Sequence, residues 1–204
     1  MSVASRTRDR VMETSLGYQL WQAPFADQKL APILRETDLS GIGRVLDLAC
    51  GPGTNARYFE PGSYTGLNIN RRYIERARDR YEGRFIVADA TAPDILNGER
   101  FDFILVNSFL HHLPTDAVSK TLRRVNELLT EEGRVHVLDL VLPARRSLAR
   151  LLAGADRGNY PRPIADWRDL LEGLFEPVSL EPFVLSAAGI PLWNMFHFTG
   201  RKRR

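Results

Sequence analysis

Residues 45–54 read Val45-Leu46-Asp47-Leu48-Ala49-Cys50-Gly51-Pro52-Gly53-Thr54. A short apolar run leads directly into two glycines, and Asn55 to Phe59 then opens a helix. Glycines let the backbone turn tightly and bring its N–H groups close to a ligand at a helix N-terminus. Strand, glycine turn and helix in this order begin a doubly wound α/β sheet, whose ligands sit where the strand order reverses. A dinucleotide pattern would place a third glycine at position 56, where Ala56 stands, and alanine is tolerated there. Asp47 is more informative. A carboxylate in this strand repels a pyrophosphate and attracts an ammonium group. The expected ligand therefore carries a positive group and no diphosphate.

Outward from this turn, short β-branched runs alternate with helical patterns. Strands are expected at 44–48, 64–69, 85–88, 101–107 and 134–141. Asn70 is expected to cap a helix with Tyr73, Ala77 and Tyr81 on one face, stopped at Gly83. Thr115 is expected to cap another, carrying Val118, Leu122, Val125 and Leu129 and stopped by Gly133. Runs such as Phe103 to Val106 are apolar on both faces, as buried parallel strands are. Beyond Pro143 the pattern changes. Residues 144–163 are basic and contain glycine and proline, with a helical piece near Leu148 to Leu152. Asp166 is expected to cap a last helix facing inward through Trp167, Leu170, Leu171 and Leu174. Runs at 178–185 and 192–199, joined through residues 187–189, form an antiparallel hairpin. Val11 to Leu34 is helical in pattern.

The expected fold class is α/β, one doubly wound and mostly parallel sheet ending in an antiparallel C-terminal hairpin. The expected layout is a single domain over 1–204. It comprises an N-terminal helical lid (1–40), a ligand-binding core (41–142) and an insertion after strand five (143–165). The last helix and hairpin (166–200) and a basic tail (201–204) follow.

Composition agrees with one globular domain. The chain has 204 residues, 44% hydrophobic and 26% charged. Its net charge of +3 is exceeded by the four basic residues at 201–204, so the body offers no extended nucleic-acid surface. A single cysteine, Cys50, leaves no internal disulfide and no cysteine-based zinc site. Met1 to Arg10 lacks the apolar core of a secretory leader, and no apolar run approaches the ~20 residues of a membrane span. A cytoplasmic location is expected, with no membrane span and no nucleic-acid partner.

The stretch Asp47 to Gly53 resembles the first motif of class I S-adenosylmethionine-dependent methyltransferases. The resemblance continues in order through Tyr64 to Asn70, Val87 to Ala90, Phe101 to Pro114 (FDFILVNSFLHHLP), Leu128 to Asp139 and Trp193 to Gly200. It implies a Rossmann-like sheet with S-adenosylmethionine as cofactor, S-adenosylhomocysteine as product and no metal. It implies that the methionyl end lies along Asp47, Ala49, Cys50, Gly51 and Gly53, with Asn107 and Ser108 opposite. It places Asn68 at the ribose, Ile69 and Ala90 at the adenine ring, and Asp89 at the adenine amine. Asn68 departs from the family, which carries an acid there; an amide lacks the charge that roughly doubles a hydrogen bond.

The implied chemistry is an in-line displacement at the sulfonium methyl, governed by positioning and exclusion of water. His112 lies just beyond the fourth strand and resembles the histidine that, in phosphoethanolamine methyltransferases, works with an N-terminal tyrosine. Tyr18 is the match for that tyrosine. A histidine there takes a proton from a hydroxyl acceptor. His111, Trp21, Tyr160 and Trp193 are the expected contacts to a small-molecule methyl acceptor, and Arg145 and Arg146 lie in the same insertion. Tyr18, Trp21 and Phe25 share one helical face, which serves equally as a packing stripe or a lid. His136 and His197 are expected to be core residues. Two other readings stay open: a methyltransferase for a lipid head group or macromolecule, and a cofactor-binding protein without catalysis.

Overall fold

The computed structural model describes residues 25–144, 148–155, 160–187 and 189–203. Seven strands form one sheet: β1 (Val45–Leu48), β2 (Tyr64–Asn68), β3 (Arg84–Val87), β4 (Phe101–Asn107), β5 (Leu129–Leu140), β6 (Phe175–Ala187) and β7 (Ile190–Lys202). Their order across the sheet is β3-β2-β1-β4-β5-β7-β6. The first five are parallel, and β7 runs antiparallel to both β5 and β6. Among the described residues five α-helices accompany them: α1 (Ala26–Glu36), α2 (Arg71–Arg80), α3 (Thr115–Leu128), α4 (Leu148–Ala155) and α5 (Ile164–Glu172).

Successive side chains of a strand point to opposite faces, and the two cores follow from that alternation. Leu46, Leu48, Ile104, Val106, Val135 and Val137 meet α3 and α5 on one face. Val45, Phe103, Leu105 and Leu138 meet Leu30 and Ile33 of α1 and Ile74 and Ala77 of α2 on the other. The α3 stripe of Val118, Leu122, Val125 and Leu128 is fully buried, as its periodicity requires. Trp167 of α5 is buried and its indole N–H donates to Leu140 O at 2.9 Å.

Several boundaries differ from expectation for identifiable reasons. The segment after Gly53 is a short 3-10 turn, Thr54–Tyr58, with Gly53 before it in a left-handed conformation. Asn70 caps α2 by accepting from Arg72 N–H at 3.0 Å, but the buried face is Ile74 and Ala77. Gly133 does not stop α3. The helix ends at Leu128, and Gly133 lies inside β5, where a Cβ would stand 2.8 Å from Phe101 O. Leu129 belongs to this strand, and the β4–β5 register shifts between Phe101 and Phe103. Helices α3 and α5 follow Pro114 and Pro163, so Thr115 is the first residue of α3 and Asp166 lies in the first turn of α5. Proline suits these positions because the first helical N–H groups lack intrahelical partners. The hairpin arms are longer than expected, and Ala187 pairs with Ile190 across a turn in which Gly189 has φ 77°.

The described part of the N-terminal segment packs on the sheet. Phe25 is buried with Leu140, Ala153, Leu185 and Met195, so this member of the aromatic stripe is a packing residue. Tyr18 and Trp21, and Arg145 and Arg146 in the insertion, lie outside the described residues. Within the insertion, α4 rests against β7, and Arg162 returns to bridge Val141.

Candidate cofactor and acceptor site

Strand β1 pairs with β2 on one side and β4 on the other. The chain leaving β1 crosses to β2 and the chain leaving β4 crosses to β5, so a crevice opens between the carboxyl ends of β1 and β4. Both ends are conformationally unusual. Ala49, Gly51 and Gly53 follow β1 with φ of 64°, 57° and 78°, and Ser108 follows β4 with φ 54°. For alanine and serine this left-handed region costs roughly 1–2 kcal/mol. Strain of this kind gathers where a backbone must expose its polar groups to a ligand. The turn is held by Cys50 N–H to Leu67 O at 2.9 Å and Gly53 N–H to Cys50 O at 3.1 Å. Gly53 has a second reason to be glycine. A Cβ there would stand 2.7 Å from Ala77 Cβ and 2.9 Å from Phe85 Cε1, so it lets the loop settle onto α2 and β3.

Asp47 is buried in β1. Its Oδ2 accepts from Tyr64 O–H at 2.7 Å and Asn55 Nδ2 at 3.0 Å. Its Oδ1 is buried without a hydrogen-bond partner among the described residues. Burial pushes the carboxyl up to about 6, against the opposing effect of those two donors. A cationic donor at Oδ1 would satisfy the orphan oxygen and return the group to its ionised form. Burial also pushes the Cys50 thiol well above its usual value, so it is no nucleophile.

At the end of β2, Asn68 Oδ1 accepts from Asn70 N–H at 2.8 Å. Ile69 beside it is 69% exposed, an apolar side chain left at the crevice mouth. Beyond β3, Asp89 Oδ1 accepts from both N–H and Oγ1 of Thr91, at 2.8 and 2.7 Å, and Ala90 is buried. Asp89 thus caps its own turn with one oxygen.

Across the crevice, Asn107 Oδ1 accepts from Ser108 Oγ at 3.0 Å, and Lys29 Nζ of α1 donates to the same hydroxyl at 3.0 Å. Lys29 has no sequence motif around it. It lies beside Leu30, whose burial against the sheet carries the lysine to the crevice rim.

The loop after β4 makes one 3-10 turn, Leu110–His112, which sends its two histidines to different environments. His111 is buried and its Nδ1 lies 2.5 Å from Asp139 Oδ1 of β5. Asp139 also accepts from Leu110 N–H and Leu140 N–H, each at 2.7 Å. Burial raises the Asp139 carboxyl, but the charge and hydrogen bond of His111 and these two N–H groups outweigh it, holding the group below its usual value. His112 is exposed, its ring centred 4.1 Å from that of His111. Arg162, buried, stacks on Trp167 and donates to Leu113 O at 2.8 Å, Tyr160 O at 3.0 Å and Thr115 Oγ1 at 3.2 Å. Tyr160 is exposed and its N–H donates to His111 O at 3.0 Å. Trp193 is half-buried beside Phe25 and Leu185. The structure thus gathers His111, His112 and Tyr160 around one loop, and adds Lys29, Asp139 and Arg162, which sequence reasoning missed.

Residues 45–133 match the family model described as methyltransferase domain. This stretch, from β1 into β5, is similar to methyltransferase domains. The chain superposes on the N-methyltransferase NodS from Bradyrhizobium japonicum, solved with S-adenosylhomocysteine, with a TM-score of 0.73, 16% identity and 98% of each chain covered. A S-adenosylmethionine-dependent methyltransferase from Methanosarcina mazei gives 0.66 at 17% identity, covering 85% of this chain and 98% of that one. The mitomycin 7-O-methyltransferase MmcR gives 0.63 at 19%, covering 93% of this chain and 58% of that one. No curated protein matches the sequence. The residues of the crevice fit S-adenosylmethionine, the cofactor that the fold implies. The orphan Asp47 Oδ1 suits an ammonium group, and exposed Ile69 offers an apolar surface to a purine. Among the described residues, no cluster of three His, Cys, Asp or Glu could hold a metal, and no helix is long and apolar enough to cross a membrane.

Proposed function

We propose that this chain is an S-adenosylmethionine-dependent methyltransferase that methylates a small molecule at a nucleophile that must lose a proton, a hydroxyl or a protonated amine. The observation that carries the reading is the buried pair of His111, on the loop leaving β4, with Asp139 of β5. A carboxylate at Nδ1 fixes that nitrogen as the N–H and leaves Nε2 as the basic one. A base so oriented removes the acceptor's proton as the new bond to carbon forms. A thiolate acceptor would not need it.

S-adenosylmethionine supplies an electrophilic methyl on a sulfonium. The chain's own residues do the holding. Asp47 and the Ala49–Gly53 turn receive the ammonium, and Lys29 beside Ser108 receives the methionyl carboxylate. Asn68 meets the ribose. Ile69, Asp89 and Ala90 border the adenine. His112 and Tyr160 face the acceptor on the outer side of His111. Trp193 lies further along the hairpin, and Tyr18 and Trp21, outside the described residues, keep the catalytic and acceptor-contact roles that the resemblance implies. The NodS and MmcR names, one an N- and one an O-methyltransferase, agree with this fold serving either acceptor atom.

The test is a screen with methyl-labelled cofactor over phenols, amines, thiols, carboxylates and lipid head groups. Label transferred to phenols or amines supports the reading. Transfer only to thiols removes the need for a base. Tight S-adenosylhomocysteine binding with no transfer to any class makes the protein a cofactor-binding module.

A further inference from the structure

Arg162 is a buried cation whose hydrogen bonds all end on uncharged groups. It lies in the insertion after β5, two residues before α5, with its guanidinium 5.0 Å from the Trp167 ring centre. One terminal nitrogen donates to Tyr160 O at 3.0 Å and Leu110 O at 3.4 Å, and the other to Leu113 O at 2.8 Å and Thr115 Oγ1 at 3.2 Å. Tyr160 N–H adds a bond to His111 O at 3.0 Å, so the strap 160–162 holds the turn 110–113 from end to end. A guanidinium stays charged, and a charge taken out of water needs another to answer it. Burial presses Arg162 below its usual value, and Asp139 and Asp166 of α5 oppose this through space. Asp166 is exposed, where water weakens its field, and Asp139 is fully buried. Leu110 joins the two buried charges: its O accepts from Arg162 and its N–H donates to Asp139 Oδ2 at 2.7 Å.

Asp139 is therefore shared between Arg162 and His111. A carboxylate alone at Nδ1 would do more than orient the ring, because it would also favour the imidazolium. An imidazolium carries protons on both nitrogens and cannot act as a base. A fixed positive charge answered by the same carboxylate cancels that preference, since a second cation in the same interior is disfavoured. The other charged or titratable groups near this loop are peripheral. His112 and the Tyr160 phenol are exposed, and Asp116 of α3 is exposed and within 4.0 Å of Lys120. Lys29 of α1 donates to Ser108 where the loop begins. We propose that Arg162 is the positioning residue for His111: its buried charge balances Asp139, keeping the imidazole neutral with its proton on Nδ1, while its donor fork clamps the turn that carries the ring. The inference rests on the reading of His111 as the base, and it makes the insertion after β5 part of that base.

The experiment is a pH titration of the imidazoles by long-range 1H–15N NMR on the full chain, labelled with 15N. The chain has four histidines, and the signals lost in His111→Asn assign His111. Wild type is compared with Arg162→Lys, which keeps the charge without the fork, and with Arg162→Gln and Arg162→Met, which remove the charge. A thermal midpoint well above the measuring temperature qualifies each variant, and either neutral variant serves. In wild type at pH 7.5, His111 is expected to be neutral with its proton on Nδ1. In the neutral variants the pH at which it becomes imidazolium is expected to rise by at least about 0.5, the low end of what a lost neighbouring charge does. Arg162→Lys is expected to stay near wild type. An imidazolium at pH 7.5 in wild type overturns the inference and needs no variant. So does an unchanged midpoint in the neutral variants, and so does an equal shift in all three, which a merely structural role would give. The spectra do not depend on turnover. If they follow the expected pattern and methyl label reaches no phenol or amine, the charge balance stands and the base reading falls. If label is transferred, His111→Asn abolishes the transfer and the spectra depart from the pattern, the base reading stands and this inference falls.

Discussion

His111 Nδ1 lies 2.5 Å from Asp139 Oδ1, inside the protein, while the neighbouring His112 is exposed. Two adjacent and chemically identical side chains are thus assigned different work by one 3-10 turn. The consequence is measurable in turnover. His111→Asn keeps an N–H donor for Asp139 and removes the basic nitrogen. With a hydroxyl acceptor its kcat is expected to fall roughly 100-fold or more, the range of general base catalysis. S-adenosylhomocysteine affinity should change less than about threefold, because the proposed role of His111 is towards the acceptor and not the cofactor. His112→Ala, which removes an exposed ring, is expected to change KM for the acceptor more than kcat. Equal kcat losses in the two variants would return the base to His112.

The sheet and its order of elements were legible because each core strand is apolar enough to announce itself, as Phe103 to Val106 does, and because Asp47 to Gly53 marks the first turn. The ends of elements were not. Gly133 reads locally as a helix stop, but pairing of Leu129 with Phe101 draws the chain into β5 before that glycine is reached. The site was legible where it is local in sequence, from Asp47 to Gly53 and from Asn107 to His112. It was not legible where tertiary structure supplies the partner. Asp139 is 28 residues from His111 and Lys29 is 79 from Ser108. Arg162 reads as one of many arginines until its burial on Trp167 is seen.

The glycine turn separates two kinds of requirement. Gly51→Val places a branched side chain at φ 57° on the ligand side of the turn, and it is expected to abolish S-adenosylhomocysteine binding. Gly53→Ala drives a Cβ to within 2.7 Å of Ala77 and is expected to cost roughly 2 kcal/mol of stability, in the range of core overpacking. Ala49→Gly relieves a left-handed alanine. Relief of roughly 1–2 kcal/mol, less the roughly 0.4–1 kcal/mol by which glycine stabilises the unfolded chain, leaves a net gain of about 0.8 kcal/mol. Urea denaturation of the three variants, beside calorimetric titration with S-adenosylhomocysteine, separates the effects. A stable Gly53→Ala protein would mean that the loop tolerates a Cβ against α2.

Asn68→Asp is expected to tighten S-adenosylhomocysteine by about 1 kcal/mol. The unmodified ribose donates through its hydroxyls, and a carboxylate converts a neutral bond into a charge-assisted one. Oδ1 can continue to accept from Asn70 N–H while Oδ2 takes the ligand. Weaker binding by calorimetry would show that the amide's donor, not an acceptor, holds the natural ribose.

His136 and His197 form a pair that the reaction does not use, and they give stability its pH dependence. His136 Nδ1 lies 3.1 Å from His197 Nε2, with Thr199 Oγ1 within 3.4 and 3.3 Å of the two nitrogens. The His136 ring stacks on Phe103 at 4.3 Å. Burial lowers His136 to about 3, with His197 and Arg134 adding to the effect, and lowers His197 to about 4. Both are therefore neutral in the fold, and the unfolded chain binds their protons first. Their contribution is complete above the unfolded value of about 6.5 and is lost as pH falls towards 4, by about 1.4 kcal/mol per pH unit for each histidine. Asp47 opposes this. Its folded value near 6 lies above the unfolded one, so between about 6 and 4 the native state binds one proton more readily than the unfolded chain. Two protons against one leaves a net loss of about 1.4 kcal/mol per pH unit over that window. Asp139, held below its usual value, adds its own loss only at lower pH. Urea denaturation at steps between pH 4 and 7.5 checks the slope. His136→Gln removes one of the two histidine protons and should leave stability nearly flat from pH 6 to 4. A wild-type curve already flat in that window would mean that the buried pair takes up its proton without unfolding.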